Sequence, residues 1–318
     1  MKDRMKSYSQ ALWISIGSMI ILLFPLIVSQ YYQQLGCVAG VYAILVLGYD
    51  FILGRAGQFS LGHIAFFGIG AYTSALLSVN WSVPFWLALP AAALASSLFG
   101  LFIGVPVLRL RGPYLAIATL GFAEIVRLIL SRWDRVTRGV DGIAGIKAPT
   151  IGPLIFDNTV SFYYIILFFL VLMIFIAERI HRGKYGRLLM AIRENELAAE
   201  VMGIDTSKGK IMAFVLSALY AGVAGSLYAH LFSYISPETF DIEHAIVILY
   251  MLIIGGSGST AGAILGAVLL TFLPEWLRFL KDYYLLLYGI GIILMMIFMP
   301  YGIIGLIRQL RLQVFSNH

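Results

Sequence analysis

The chain has 318 residues, of which 60% are hydrophobic and 12% charged, whereas soluble domains are nearer a quarter charged. So few charges could not hydrate the surface of a 35.2 kDa soluble protein, and the solvent for most of this surface is therefore lipid. The net charge of +6 sits in short connectors between apolar runs, which fits retention of Lys and Arg in cytoplasmic loops better than a nucleic-acid surface. Cys37 is the only cysteine, so an internal disulfide or a metal site built from thiolates is excluded.

A spanning helix needs about 20 mainly apolar residues. Ten runs meet or approach this: 11–29, 35–53, 59–79, 84–108, 113–131, 161–180, 211–231, 244–256, 260–280 and 284–305. The first follows Lys2-Asp3-Arg4-Met5-Lys6 and leads into Gln30-Tyr31-Tyr32-Gln33-Gln34 without a small-x-small cleavage site. It reads as a retained helix and not as a signal peptide. The expected fold is all-α and polytopic, one transmembrane domain over 1–318.

Basic residues set the expected orientation. With the N-terminus inside, 15 of the 22 Lys and Arg fall on the cytoplasmic side and 6 outside, with Arg127 inside a span. Both termini are expected in the cytoplasm. The connector 132–160, rich in Gly and Pro, reads as an extracytoplasmic loop.

The connector 181–210 has another character. From Gly186 to Gly203 it has no internal Gly or Pro, and Leu188, Ile192, Ala199 and Met202 recur near helical spacing. Arg187, Arg193, Glu194, Glu196 and Glu200 lie around them, and Gly203 stands where a helix would stop. The pattern predicts one amphipathic cytoplasmic helix over 186–203, too polar to cross a bilayer. Such a helix has three uses: a solvated loop, a lipid-surface element, or a docking element for a soluble partner. Its Ala-rich centre, Leu197-Ala198-Ala199, favours docking, with Ala198 and Ala199 expected to meet the partner.

Further on, 244–256 is short for a span and is followed by Gly255-Gly256-Ser257-Gly258-Ser259. It reads as a broken or re-entrant element with a tight break between helices. The same glycines do not make a nucleotide-binding loop, because the lysine that reaches the phosphates is missing. Gly262 with Gly266, and Ala221-Gly222 with Gly225, place small residues at helix-packing intervals.

Several motifs, in order, carry a resemblance. Gly57-Gln58-Phe59-Ser60-Leu61-Gly62-His63 with Phe66-Phe67-Gly68-Ile69-Gly70-Ala71-Tyr72, and Arg109-Leu110-Arg111-Gly112 with Ala118-Thr119-Leu120, come first. Gly186-Arg187-Leu188, Ala191 to Glu200, Gly203-Ile204 and Ser236-Pro237-Glu238 follow, then the glycine run at 255 and Met299-Pro300-Tyr301-Gly302-Ile303-Ile304-Gly305. Together they resemble the branched-chain amino acid permeases of ABC importers over about 35–307. The sequence departs from that pattern at Arg138, where a second glycine usually precedes Gly139. It departs again at Leu197, which holds the glutamate position of the broader Glu-Ala-Ala loop, and the later Ile-x-Leu-Pro is missing.

The resemblance implies a permease fold forming half of a translocation pathway in the inner membrane, without enzyme activity or a cofactor of its own. It implies a second related permease, two cytoplasmic ATPases and an extracytoplasmic binding protein as partners. It also makes 181–210 the ATPase-coupling loop, with Gly186, Arg187, Arg193, Glu194, Glu196, Ala198, Ala199 and Gly203 as its coupling residues. Import of urea or short amides by the same architecture, or ion-coupled transport, are the alternatives.

Ionisable residues inside spans cost about 2.5–3.5 kcal/mol each on insertion scales and suggest function by default. Glu124 and Arg127 share one helix face and can pair, either as a structural pair in the bundle interior or as a lining for a zwitterionic substrate. His63 could bond a substrate carboxylate or be a satisfied packing histidine. Ser60 and Thr119, within the matching motifs, join these three as path candidates. Asp50 and Arg55 are expected near a membrane face. A metal site from His230, Glu243 and His244 is disfavoured by spacing that suits no ligand set.

Overall fold

The computed structural model describes residues 19–107, 110, 112–151 and 154–277, together with 289, 290, 293 and 302–306. The expected span 284–305 lies mostly outside the described residues, as do the basic residues 2–6, Arg109, Arg111, Arg278, Lys281, Arg308 and Arg311.

Helices dominate. Helix α1 occupies 19–27 and α2 runs Gln30–Tyr49, continuing as a π-helical turn over Asp50–Arg55. Helices α3 (His63–Asn80), α4 (Phe85–Val107) and α5 (Pro113–Arg132) follow. The 132–158 connector holds a short helix, α6 (Asp134–Thr137), and two-residue strands β1 (Ile143–Ala144), β2 (Thr150–Ile151) and β3 (Leu154–Ile155). Then come α7 (Thr159–Arg182), α8 (Lys184–Glu194), α9 (Glu196–Val201) and α10 (Thr206–Phe232). Strand β4 (Tyr234–Ile235) and a 3-10 turn (Pro237–Phe240) lead to α11 (Ile242–Gly255) and α12 (Thr260–Leu277). The all-α fold class holds, with two small antiparallel pairs in the connectors, β1 with β4 and β2 with β3.

Six described helices are long and apolar enough to cross a membrane: α2 with its π-turn, α4, α5, α7, α10 and α12. The 14-residue α11 is about 21 Å long, against about 30 Å of hydrocarbon. Its length and the glycine break after it match the sequence reading of an incomplete span.

The bundle is built around α2 and α10. The chain itself buries 78% of the apolar window of α2 and 67% of that of α10, against 28% for α5, so α5 is a peripheral wall. Small residues make the centre possible. A Cβ on Gly70 of α3 would lie 2.5 Å from Gly222 Cα of α10, and one on Gly222 would lie 2.7 Å from the Ala92 carbonyl of α4. Three backbones therefore meet where only glycine fits, the packing that membrane helices use in place of hydrophobic burial. The same device joins α11 to α12, where a Cβ on Gly266 would overlap the Met251 carbonyl.

One end of this bundle carries α8, α9, the π-turn and the α11–α12 break. The opposite end carries the 132–158 connector, β4 and the start of α11.

Candidate coupling and translocation sites

At the first end, the expected single helix over 186–203 is two helices. Asn195 adopts an extended backbone (φ −160°) and its side chain accepts from Ala198 N at 3.0 Å, so α8 stops and α9 is capped anew. No Gly or Pro marks this break. Asn195 followed by an acidic residue was the available signal, since Asn competes with helix continuation and is a strong N-cap. Gly203 ends the element as expected, at φ +81° with its N–H donating to Glu200 O, a backbone state suited to glycine.

The pair is held to the bundle by its inner face. Leu189, Ile192 and Ala199 are buried, Lys210 donates to Glu196, and Thr206 donates to Glu200 at 2.7 Å. Gly186 is buried, with no room for a Cβ against the His181 carbonyl. Asp205 caps α10; the Lys208 backbone N–H, then its ammonium, hold the Asp205 carboxyl below the usual carboxylate range.

Ala199 faces its own chain, contrary to the expectation that it meets a partner. Ala198 is exposed beside Leu197 (62%), Val201 (87%) and Met202 (81%), with Glu194 and Arg187 also exposed. The outward face of α9 is therefore apolar with a charged border.

Arg193 reaches back into the bundle and donates to the Gly54 carbonyl in the π-turn. There Asp50 is fully buried within the chain; it accepts from Gly258 N at 2.6 Å and pairs with Arg55 at 3.3 Å. The wider π-turn brings positions i and i+5 together, which is why Asp50 and Arg55 meet. Arg55 Nη2 lies 3.2 Å from His181 Nδ1. Arginine has only donors, so Nδ1 accepts and the ring proton sits on Nε2. Sequence reasoning missed this junction because its members lie in three separate segments.

The five path candidates divide into two groups. Ser60, His63 and Thr119 are interior. His63 donates from Nε2 to Leu45 O at 2.9 Å and Nδ1 accepts from Ser217 Oγ at 2.8 Å, so both ring nitrogens are used within the bundle. Thr119 Oγ1 donates to Leu115 O and accepts from Leu61 N, while the Ser60 carbonyl accepts from Tyr49 Oη at 2.5 Å. The satisfied packing role is the one this arrangement supports for His63.

Glu124 and Arg127 are different. They form a two-contact ion pair, 2.9 and 2.5 Å, on a flank of α5. About a third of each side chain is exposed, which corrects the expectation of a pair in the bundle interior. Arg127 is also within electrostatic reach of Asp241 and Glu238, and Asp241 bonds His244 N at 2.9 Å and its ring at 2.7 Å. Burial pushes the Asp241 carboxyl up, but the two His244 contacts and the Arg127 charge outweigh it and leave it lowered. Among the described residues, no cluster of His, Cys, Asp and Glu is suited to a metal ion.

Comparison with known proteins bears on what such a bundle is. Residues 32–299 match the family model for the permease component of branched-chain amino acid transport systems. The chain belongs to that family. It is 36% identical to the high-affinity branched-chain amino acid transport system permease protein LivM of Salmonella typhimurium, over 96% of this chain and 77% of that protein. The Escherichia coli LivM is 35% identical over the same shares. An Escherichia coli autoinducer 2 import system permease protein, LsrC, is 29% identical over 65% of this chain and 59% of its own length. No solved structure matches. Family and apolar helices together make this chain a multi-pass membrane permease, and the relatives are transport subunits, not enzymes.

Proposed function

We propose that this chain is half of the translocation pathway of an ATP-driven importer for hydrophobic amino acids, with α8 and α9 as its cytoplasmic docking element. The observation that carries the reading is the outward face of α9: Leu197, Ala198, Val201 and Met202 exposed together, on an element anchored from behind. Six residues of helix offer little apolar area to a lipid surface, where binding scales with the apolar area buried. They suit a groove on a soluble subunit, as the resemblance to the ATPase-coupling loop implies. Two ATPases, a second related permease and an extracytoplasmic binding protein complete the assembly, and both chain termini lie in the cytoplasm.

The flank of α5 supplies a path wall. Two charged side chains, each a third exposed within a span, would be costly against lipid. They are at home against a second permease or a water-filled path. Arg127 with Asp241 and Glu124 presents both signs of charge to the carboxylate and ammonium of an amino acid. A neutral urea or amide would use neither, and this separates the amino-acid reading from that alternative.

The test is co-purification. The wild-type chain, expressed with the ATPase subunits of the importer, should retain them in detergent, and Val201→Asp with Met202→Asp should lose them while the permease still inserts. Full retention by the double variant would remove the docking role from α9.

A further inference from the structure

Four groups from three distant segments converge below α9: the Asp50 carboxylate, the Gly54 carbonyl, the Gly258 N–H and the Arg193 guanidinium. Asp50 Oδ1 accepts from Gly258 N at 2.6 Å, and Arg193 donates to Gly54 O. Their closeness is enforced by missing side chains. A Cβ on Gly54 would fall 1.7 Å from Asp50 Oδ1 and 2.6 Å from Gly258 N, and one on Gly258 would lie 3.0 Å from Arg193 Nη1.

This site joins two parts that are distant in sequence. Gly258 sits in the break between α11 and α12, while Arg193 is the last turn of α8. Between them lies the π-turn, which holds Asp50 inward and offers the Gly54 carbonyl outward. Both hydrogen bonds to the π-turn and break use backbone partners, so Asp50 and Arg193 are the side chains that tie α8 to the break through the π-turn, beside a separate contact of His181 with Thr260 Oγ1 at 3.3 Å. A fully buried carboxylate is an expensive way to fill space. An apolar residue would serve for packing, but could not hold the Gly258 N–H and Arg55 at once.

The geometry points to Asp50 as a positioning residue that clamps the α11–α12 break, through Gly54 and Arg193, to the α8–α9 pair, so that displacement of α8–α9 moves the α11–α12 hairpin. The inference rests on the proposed docking role of α8–α9. A shift of α8 pulls on the Gly54 carbonyl; the π-turn carries Asp50 with it; and Asp50 draws the turn at Gly258. The hairpin follows as a body, because Gly255, Gly262 and Gly266 lock α11 against α12.

The experiment measures substrate taken up per ATP hydrolysed in proteoliposomes holding the whole importer, with binding protein and leucine inside the assay. Asp50→Asn weakens the charge link and Arg193→Ala removes the outer one. Each should lower the uptake-to-hydrolysis ratio on the order of tenfold, and Asp50→Asn, buried away from the docking face, should leave the ATPases co-purifying. Asp50→Asn with Arg193→Ala together should be no worse than either alone, since both cut one linkage. If Asp50→Asn does not fold, the exposed Arg193 still decides the matter. An unchanged ratio in Arg193→Ala, or uptake and hydrolysis falling in parallel, overturns the clamp. Failure of the wild-type chain to retain ATPases would instead overturn the docking reading.

Discussion

Arg127 and Glu124 form a two-contact ion pair, 2.9 and 2.5 Å, on the most exposed of the described spanning helices. Each charge is tolerable because the other is beside it. Removing one leaves the other charge without its partner, whereas removing both leaves none. Glu124→Gln and Arg127→Gln should therefore each lower stability by up to about 1 kcal/mol, and the double variant by less than the sum. Thermal unfolding in detergent measures this, and additive losses would show that the pair is not coupled.

Ala198 and Ala199 are neighbours with opposite surroundings, one exposed and one buried against the bundle. Ala198→Trp should fold with wild-type yield and fail to hold the ATPase. Ala199→Trp overfills a packed site, costing about 1–3 kcal/mol, and should lower folded yield before any question of docking arises. Size-exclusion profiles with pull-down separate the two. Equal yields with equal retention would contradict the assignment of faces.

How much was legible in sequence follows from what each residue needs from its surroundings. Several spans were, because about twenty mainly apolar residues have one use; the expected 161–180 and 211–231 became Thr159–Arg182 and Thr206–Phe232, whereas the expected 59–79 became His63–Asn80, which is not among the six described helices long and apolar enough to cross. The helix break at 244–259 was too, since glycine runs are local. The split at Asn195 was hidden by a helical period continuing through it, and the burial of Ala199 by a spacing that leaves two faces possible. Asp50, Gly54, Arg193 and Gly258 were unreadable as a unit because up to 208 residues separate them.

Arg138 adopts a left-handed backbone, φ 60° and ψ 20°, immediately before Gly139 at φ +59°. That conformation costs a residue with a Cβ roughly 1–2 kcal/mol, and it explains why a glycine suits the position that Arg138 holds. Arg138→Gly should match or exceed the wild-type midpoint of thermal unfolding, and Arg138→Val should fall below it. The reverse order would mean that the arginine side chain contributes more than the strain takes away.

Gly222 and Gly121 offer a paired test of the packing. A Cβ on Gly222 meets the α4 backbone under 3 Å away, while one on Gly121 meets nothing within 4 Å. Gly222→Ala should lower stability by about 1–3 kcal/mol, whereas Gly121→Ala should be neutral or stabilising by up to about 1 kcal/mol. Similar effects at the two positions would deny that α3, α4 and α10 meet at Gly222.

Under the proposed function, this permease carries hydrophobic amino acids only when ATP is hydrolysed on its partners. Proteoliposomes containing this chain, its companion permease, the ATPases and binding protein should accumulate labelled leucine only with ATP. An ATPase inhibitor should abolish accumulation, and a proton or sodium gradient should not replace ATP. Leucine uptake driven by an ion gradient alone, or ATP-dependent uptake of urea with none of leucine, would contradict it.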